Sequence, residues 1–239
     1  MLELYVSGTE QNSGKTFITA GLAATMQCLG YSTSVYKPVQ TNAIEKNGFI
    51  QAPDLAYVKF IDPYIKTYFS YLFPQKAVPV LAAGSSGVTI EREKIIQDYE
   101  QIFHESECII TDGSQGLAAP LTGSLLEADL VKSLGVPVLL VVSPEKTTVN
   151  NIIMTLNFAK SRDIAVRGVI LNEYPDDSAD LNIKNLPRLV EEYTDAKVLG
   201  ILQHIENLKN IRPDDLITNI LYGIDVESVF NIKIAKLSM

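Results

Sequence analysis

With 239 residues, of which 46% are hydrophobic and 20% charged, the chain has material for one sizeable buried core and lacks the composition of a disordered segment. A formal net charge of -8 and a pI near 4.8 work against binding to a phosphate backbone, which rewards clustered lysine and arginine, so nucleic acid is not an expected partner. The two cysteines, Cys28 and Cys108, sit in apolar periodic stretches and read as buried thiols of a reducing compartment, not as a disulfide or metal clip.

The first element is expected to be a short apolar strand over 2–6, a stretch that lacks the basic region and apolar core of a leader peptide, so none is expected. A helix is expected near 14–29 and a strand over 33–36. Residues 41–90 carry proline and glycine breaks without clear periodicity, and are expected to form an irregular insertion over one end of a sheet, packed by Tyr57, Tyr64, Tyr68 and Tyr71. Beyond it, strands over 107–111, 136–142, 166–171 and 197–202 alternate with helices near 91–104, 124–133, 148–162 and 180–194. A last helix near 213–222 is opened by Pro213 and Asp214. The strongest apolar run, 136–142, is too short to span a bilayer, so a cytoplasmic chain without a membrane partner is expected. His104 and His204 lack metal-ligand spacing and read as surface or cap residues. Strand and helix alternation predicts a single α/β domain, a parallel sheet covered by helices on both faces, with ligands outside the carboxyl ends of its strands.

Three such strand ends carry chemistry. The first strand runs into Gly8-Thr9-Glu10-Gln11-Asn12-Ser13-Gly14-Lys15-Thr16 and then into an apolar-periodic helix. Backbone amides of such a loop can curl round phosphate oxygens at a helix N-terminus, Gly14 allowing close approach, Lys15 reaching the β and γ phosphates and Thr16 ligating magnesium. A strict Walker pattern would have glycine at 9, where this chain has Thr9; the order of strand, loop, Gly-Lys-Thr and helix still predicts a P-loop NTPase. Lys37, in Tyr36-Lys37-Pro38, could hold a fixed charge over a γ-phosphate or be a solvated strand-end lysine. Asp112, before Gly113, reads as a strand-end acid for magnesium or as an Asp-Gly turn; Asp54 could add a second carboxylate or cap a helix at 55–60.

Together, Gly8-Thr9 with Gly14-Lys15-Thr16, Tyr36-Lys37-Pro38-Val39, Asp54, Asp112-Gly113, the stretch 135–142 followed by Asn150, and Gly168-Val-Ile-Leu-Asn172 resemble the dethiobiotin synthetases, P-loop ATPases related to the cobyrinate amide synthases. The resemblance runs to about Gly200 and implies ATP and magnesium as cofactors, and a ligase that closes a cyclic urea from a diamine acid, 7,8-diaminopelargonate, and carbon dioxide. It further implies Lys15 and Lys37 as catalytic, and Gly8, Thr9, Gln11, Asn12, Ser13, Gly14, Lys15 and Thr16 on the nucleotide phosphates. Thr16, Asp54 and Asp112 would hold magnesium, and Lys37, Thr41 and Gly113 would lie near the substrate. Asn150 would reach a substrate carboxylate across a homodimer interface, and Asn172 would read the adenine. The chain departs from the family at Gln11 and Asn12 (usually threonine and glutamate), at Asp112-Gly113-Ser114-Gln115-Gly116 (usually Glu-Gly-Ala-Gly-Gly), at Val80 and at Leu202-Gln203. Another acid-activating ligase or amide synthase of the superfamily would show at residues 11, 12 and 80. A nucleotide-switched regulator of the septum-placing type would carry an extra lysine early in the loop, where this chain has Thr9-Glu10.

Overall fold

The computed structural model describes residues 1–46, 48–175, 177–205 and 208–234. In chain order the first half comprises β1 (Leu2–Gly8), α1 (Lys15–Cys28), β2 (Thr33–Gln40), β3 (Ile44–Lys46), β4 (Phe49–Gln51), α2 (Pro53–Ile61), β5 (Lys66–Leu72), α3 (Pro79–Ser85) and α4 (Arg92–Phe103). The second half comprises β6 (Cys108–Asp112), α5 (Glu127–Leu134), β7 (Val138–Val142), α6 (Val149–Ser161), β8 (Val166–Tyr174), α7 (Leu181–Tyr193), β9 (Val198–Gln203), α8 (Pro213–Gly223) and α9 (Val226–Phe230).

Seven strands form one parallel sheet in the order β5-β2-β6-β1-β7-β8-β9. Side chains alternate across it, as the period of a strand requires. Leu4, Val6, Ile110, Leu139, Val141 and Ile170 face one core under α1, α2, α8 and α9. Tyr5, Ile109 and Val138 face a second core with α4 and α5, and Leu140, Val142, Val169 and Leu171 face α6 and α7. Strands buried on both faces explain the near-continuous apolar runs in the sequence, and the expected single domain with helices on both faces is found. Chain direction across the sheet reverses at β1, the position where open α/β sheets place ligands. Among the described residues no helix is long and apolar enough to cross a membrane.

Two expectations are corrected. Residues 41–90 are not an irregular insertion: they contain β5, the edge strand of the main sheet, along with the β3-β4 hairpin, α2 and α3. β5 reads Lys-Thr-Tyr-Phe-Ser-Tyr-Leu and is only partly buried, so at the edge it lacks the apolar run of a central strand. Its Tyr68 and Tyr71 pack against the second core and Tyr57 against the first, whereas Tyr64 is 83% exposed. The second correction concerns Cys28, which closes α1 on an exposed position, whereas Cys108 is buried. Burial pushes the Cys108 thiol up to about 12. The unfolded chain therefore ionises this thiol first, and its contribution to stability is lost as pH rises from 9.0 towards about 12. Under native conditions at pH 8 a thiol reagent is expected to label Cys28 promptly and Cys108 only after denaturant is added; two fast thiols in the native protein would contradict this burial.

Candidate active site

Gly14 caps α1 in the left-handed region (φ 91°), and a Cβ there would lie 2.0 Å from Asn172 Nδ2. Only glycine closes the loop in this space. Lys15 is buried and its Nζ donates to the Glu10 carbonyl at 3.0 Å. Burial lowers its pKa below the ordinary lysine range, with the Asp112 carboxylate opposing. Thr9 donates to the Glu10 carboxylate, and the Thr16 hydroxyl donates to Asp112 Oδ2 at 3.1 Å. Gly8 ends β1 against Ser13, whose buried hydroxyl has no hydrogen-bond partner among the described residues.

The placement of Lys37 follows from strand pairing. β2 pairs with β6 only as far as Tyr36 opposite Thr111, so Lys37 is the first residue past that contact and projects into the gap. Its neighbour Pro38 interrupts the pairing with edge strand β5, the kind of edge contact where a residue without an N–H is tolerated. Lys37 Nζ lies 2.7 Å from Asp54 Oδ2 and 3.0 Å from Asp112 Oδ2, and it donates to the Gly113 carbonyl at 2.9 Å. All three donors of the ammonium thus have oxygen partners. Burial alone would lower its pKa, but the two carboxylates outweigh burial and hold it above the ordinary lysine range. Lys37 also outweighs burial at Asp54, whose pKa is lowered; at Asp112, fully enclosed, burial prevails and the pKa is raised.

These groups open on a cavity of about 630 Å³ lined by Gln11, Asn12, Gly14, Lys15 and Thr16 on one side and by Lys37, Thr41 and Asp54 on the other. The structure thus brings together the expected phosphate, lysine and carboxylate residues from β1, β2, β6 and α2. A second depression, between the C-terminal ends of α6 and α7, contains none of them. Of the expected residues, Gly8 and Thr9 line a separate depression with Met154 and Phe158, and Asn172 and Asn150 line neither. Asn172, at the end of β8, is buried and its Nδ2 donates to the Ser13 carbonyl at 3.0 Å, so its amide braces the loop. Asn150, in the first turn of α6, is exposed, contacts Met154 Sδ at 3.3 Å and does not line the cavity.

Sequence reasoning missed Lys76, Ser114 and Gln115, which also line the cavity, and Glu127 behind it. Glu127 is 1% exposed and accepts from the Ser114 and Gln115 amides at 3.2 and 3.3 Å and from the Ser114 hydroxyl. A Cβ on Gly113 would meet its Oε1 at 2.4 Å, so glycine at 113 lets this carboxylate hold the turn whose carbonyl meets Lys37. In sequence Glu127 looks like an ordinary acid in the first turn of a helix, and only its burial distinguishes it. His104 caps α4 and His204 follows β9, both exposed.

A family model described as an AAA domain matches residues 3–212. The ATP-dependent dethiobiotin synthetase of Anoxybacillus flavithermus is 31% identical over 212 residues, covering 88% of this chain and 95% of its own. That of Nitrosopumilus maritimus is 30% identical over 216 residues, covering 88% and 92%. Among solved structures, the septum site-determining protein MinD of Pyrococcus horikoshii, in complex with Mg-ADP, superposes with a TM-score of 0.60 at 16% identity, covering 95% of this chain and 94% of that one, a likeness of fold. Since these synthetases match nearly end to end, and a P-loop and a strand-end lysine line one cavity with a strand-end acid behind it bonded to Thr16 and Lys37, the chain belongs to the ATP-dependent dethiobiotin synthetases, a family of ATP-dependent ligases.

Proposed function

We propose that the chain closes the cyclic urea of dethiobiotin from 7,8-diaminopelargonate and carbon dioxide, with ATP cleaved to ADP and phosphate. One amine captures carbon dioxide as a carbamate and releases a proton. A carbamate oxygen attacks the γ-phosphorus, ADP leaves, and the second amine then attacks the activated carbonyl and expels phosphate. Such a transfer is chiefly positioning and charge neutralisation. The observation that supports this reading is the ammonium of Lys37, buried at the end of the P-loop cavity and kept charged by two carboxylates. Lys37 would meet the carbamate and γ-phosphoryl charge from one side and Lys15 from the other, Thr41 and Gly113 lying beside the amine.

The Thr16 hydroxyl and the Asp54 and Asp112 carboxylates form an all-oxygen donor set of the kind magnesium prefers, and Asp112 Oδ1 is buried without a partner among the described residues. They would hold that ion, which neutralises the β and γ phosphate oxygens when bound. In the same proposal Asn172 meets the adenine, the chain is cytoplasmic, and it acts as a homodimer in which exposed Asn150 reaches the acid tail bound by the other subunit.

A second reading, the same phosphate chemistry on another acid and amine, is favoured by Gln11 and Asn12: the cavity wall there offers amides and no carboxylate to a substrate ammonium. One experiment separates the two. Phosphate release from ATP and magnesium is followed with 7,8-diaminopelargonate and bicarbonate, each omitted in turn. Release that requires both supports cyclic urea formation; release indifferent to the diamine rejects it in favour of another acid.

A further inference from the structure

Lys146, four residues beyond the end of β7, lies outside the cavity lining yet is tied to the loop that forms it. Its Nζ donates to the Asn12 carbonyl at 2.9 Å and pairs with Glu173 Oε2 at 2.6 Å. The same carboxylate oxygen accepts from the Ser143 hydroxyl at 3.0 Å. Asn12 and Glu173 are both in the left-handed backbone region, at φ 59° and 56°. Residues without glycine's freedom hold that conformation only where their surroundings over-determine it, and such positions concentrate at functional sites. One cation therefore links two strained positions, one in the phosphate loop and one on β8.

Peptide geometry gives this contact a consequence. A carbonyl and the N–H that follows it point in opposite directions across a trans peptide. Pinning the Asn12 carbonyl to Lys146, on the side away from the cavity, turns the Ser13 amide the other way; pinning the Ser13 carbonyl to Asn172 does the same for the Gly14 amide. Neither amide donates to another backbone or side-chain acceptor among the described residues. We propose that Lys146, fixed by Glu173, is a positioning residue that presents the Ser13 and Gly14 amides to the phosphate oxygens of the nucleotide. This inference rests on the reading of the cavity as an ATP site.

Calorimetric titration of the full chain with ATP and magnesium tests it, using the parent and the variants Lys146→Met, Lys146→Arg and Glu173→Gln. Lys146→Met is expected to bind ATP roughly tenfold more weakly, the effect of one charge-assisted hydrogen bond. KM for ATP should rise by a similar factor while kcat at saturating ATP stays within about twofold, since the phosphoryl-transferring groups are untouched. Lys146→Arg should restore most of the affinity and Glu173→Gln should lose part of it. Melting without nucleotide should stay within about 2 °C of the parent, because a partly exposed ion pair contributes little to the fold. Parental affinity in Lys146→Met overturns the proposal, as does a loss that arginine fails to restore or one confined to kcat. A parent that takes up no ATP defeats the reading of the cavity itself, a result distinct from equal, tight binding by parent and variant.

Discussion

Lys37→Ala is expected to reduce ATP-dependent phosphate release with substrate by roughly 10³-fold, the scale of removing a preorganised charge from a transferring group. It should also weaken the empty protein, which the sequence alone does not suggest for a strand-end lysine. Lys37 is 3% exposed and lies between Asp112, at 1%, and Asp54. Its removal leaves the buried Asp112 and half-buried Asp54 carboxylates without this counter-charge, a loss of roughly 3 kcal/mol, or about 10 °C in melting temperature for a chain of this size. The sign of the pH dependence follows. With Lys37 present, the Asp54 pKa is lowered, so its contribution is present above the ordinary carboxylate pKa and is lost as pH falls. Without Lys37, burial still raises Asp112 and Asp54 loses its strongest charge partner, so the deficit should be largest near neutrality and shrink in mild acid as Asp112 protonates. Adding Asp112→Asn to Lys37→Ala should recover stability without recovering turnover. Near-parental phosphate release from the single variant would reject the role given to Lys37.

What could be read from the sequence divides along the same physical line. Central strands such as Val138–Val142 are apolar on both faces and declare themselves by composition; β5 alternates lysine, threonine, serine and tyrosine at an edge and does not. Gly14, Lys15 and Thr16 were legible because a phosphate loop needs those residue types in that order between a strand and a helix, and Asp112 because an apolar strand ends on it. Lys37 was legible as a position but not as a partner, since Asp54 and Asp112 reach it from α2 and β6, far along the chain. Glu127 and Lys146 were invisible for a related reason: a helix-start acid and a loop lysine are commonplace until folding places one beneath Ser114 and the other on the Asn12 carbonyl. The strand expected over 166–171 stops short of Asn172, whereas β8 runs on through it to Tyr174, and only coordinates show its amide nitrogen committed to Ser13.

Lys15→Ala should lose activity to a similar extent, roughly 10³-fold, while leaving the empty protein as stable as the parent or more so. Among the described residues Lys15 has no carboxylate at contact distance and its Nζ meets only the Glu10 carbonyl, and burial lowers its pKa. For a base with a lowered pKa the folded state disfavours the charge, so below the unfolded value of 10.5 the ammonium works against folding until an anion reaches it. A triphosphate supplies that anion, and nucleotide binding should therefore raise the parent's melting temperature by more than ligand mass action on an uncharged loop would. In Lys15→Ala the nucleotide-induced rise should largely disappear although the melting temperature without nucleotide does not fall. Lys37→Ala should show the converse, a lower starting point with part of the nucleotide response retained. Differential scanning fluorimetry with and without ATP and magnesium distinguishes the two. An unchanged nucleotide response in Lys15→Ala would mean that the loop ending at Thr16 does not hold the triphosphate.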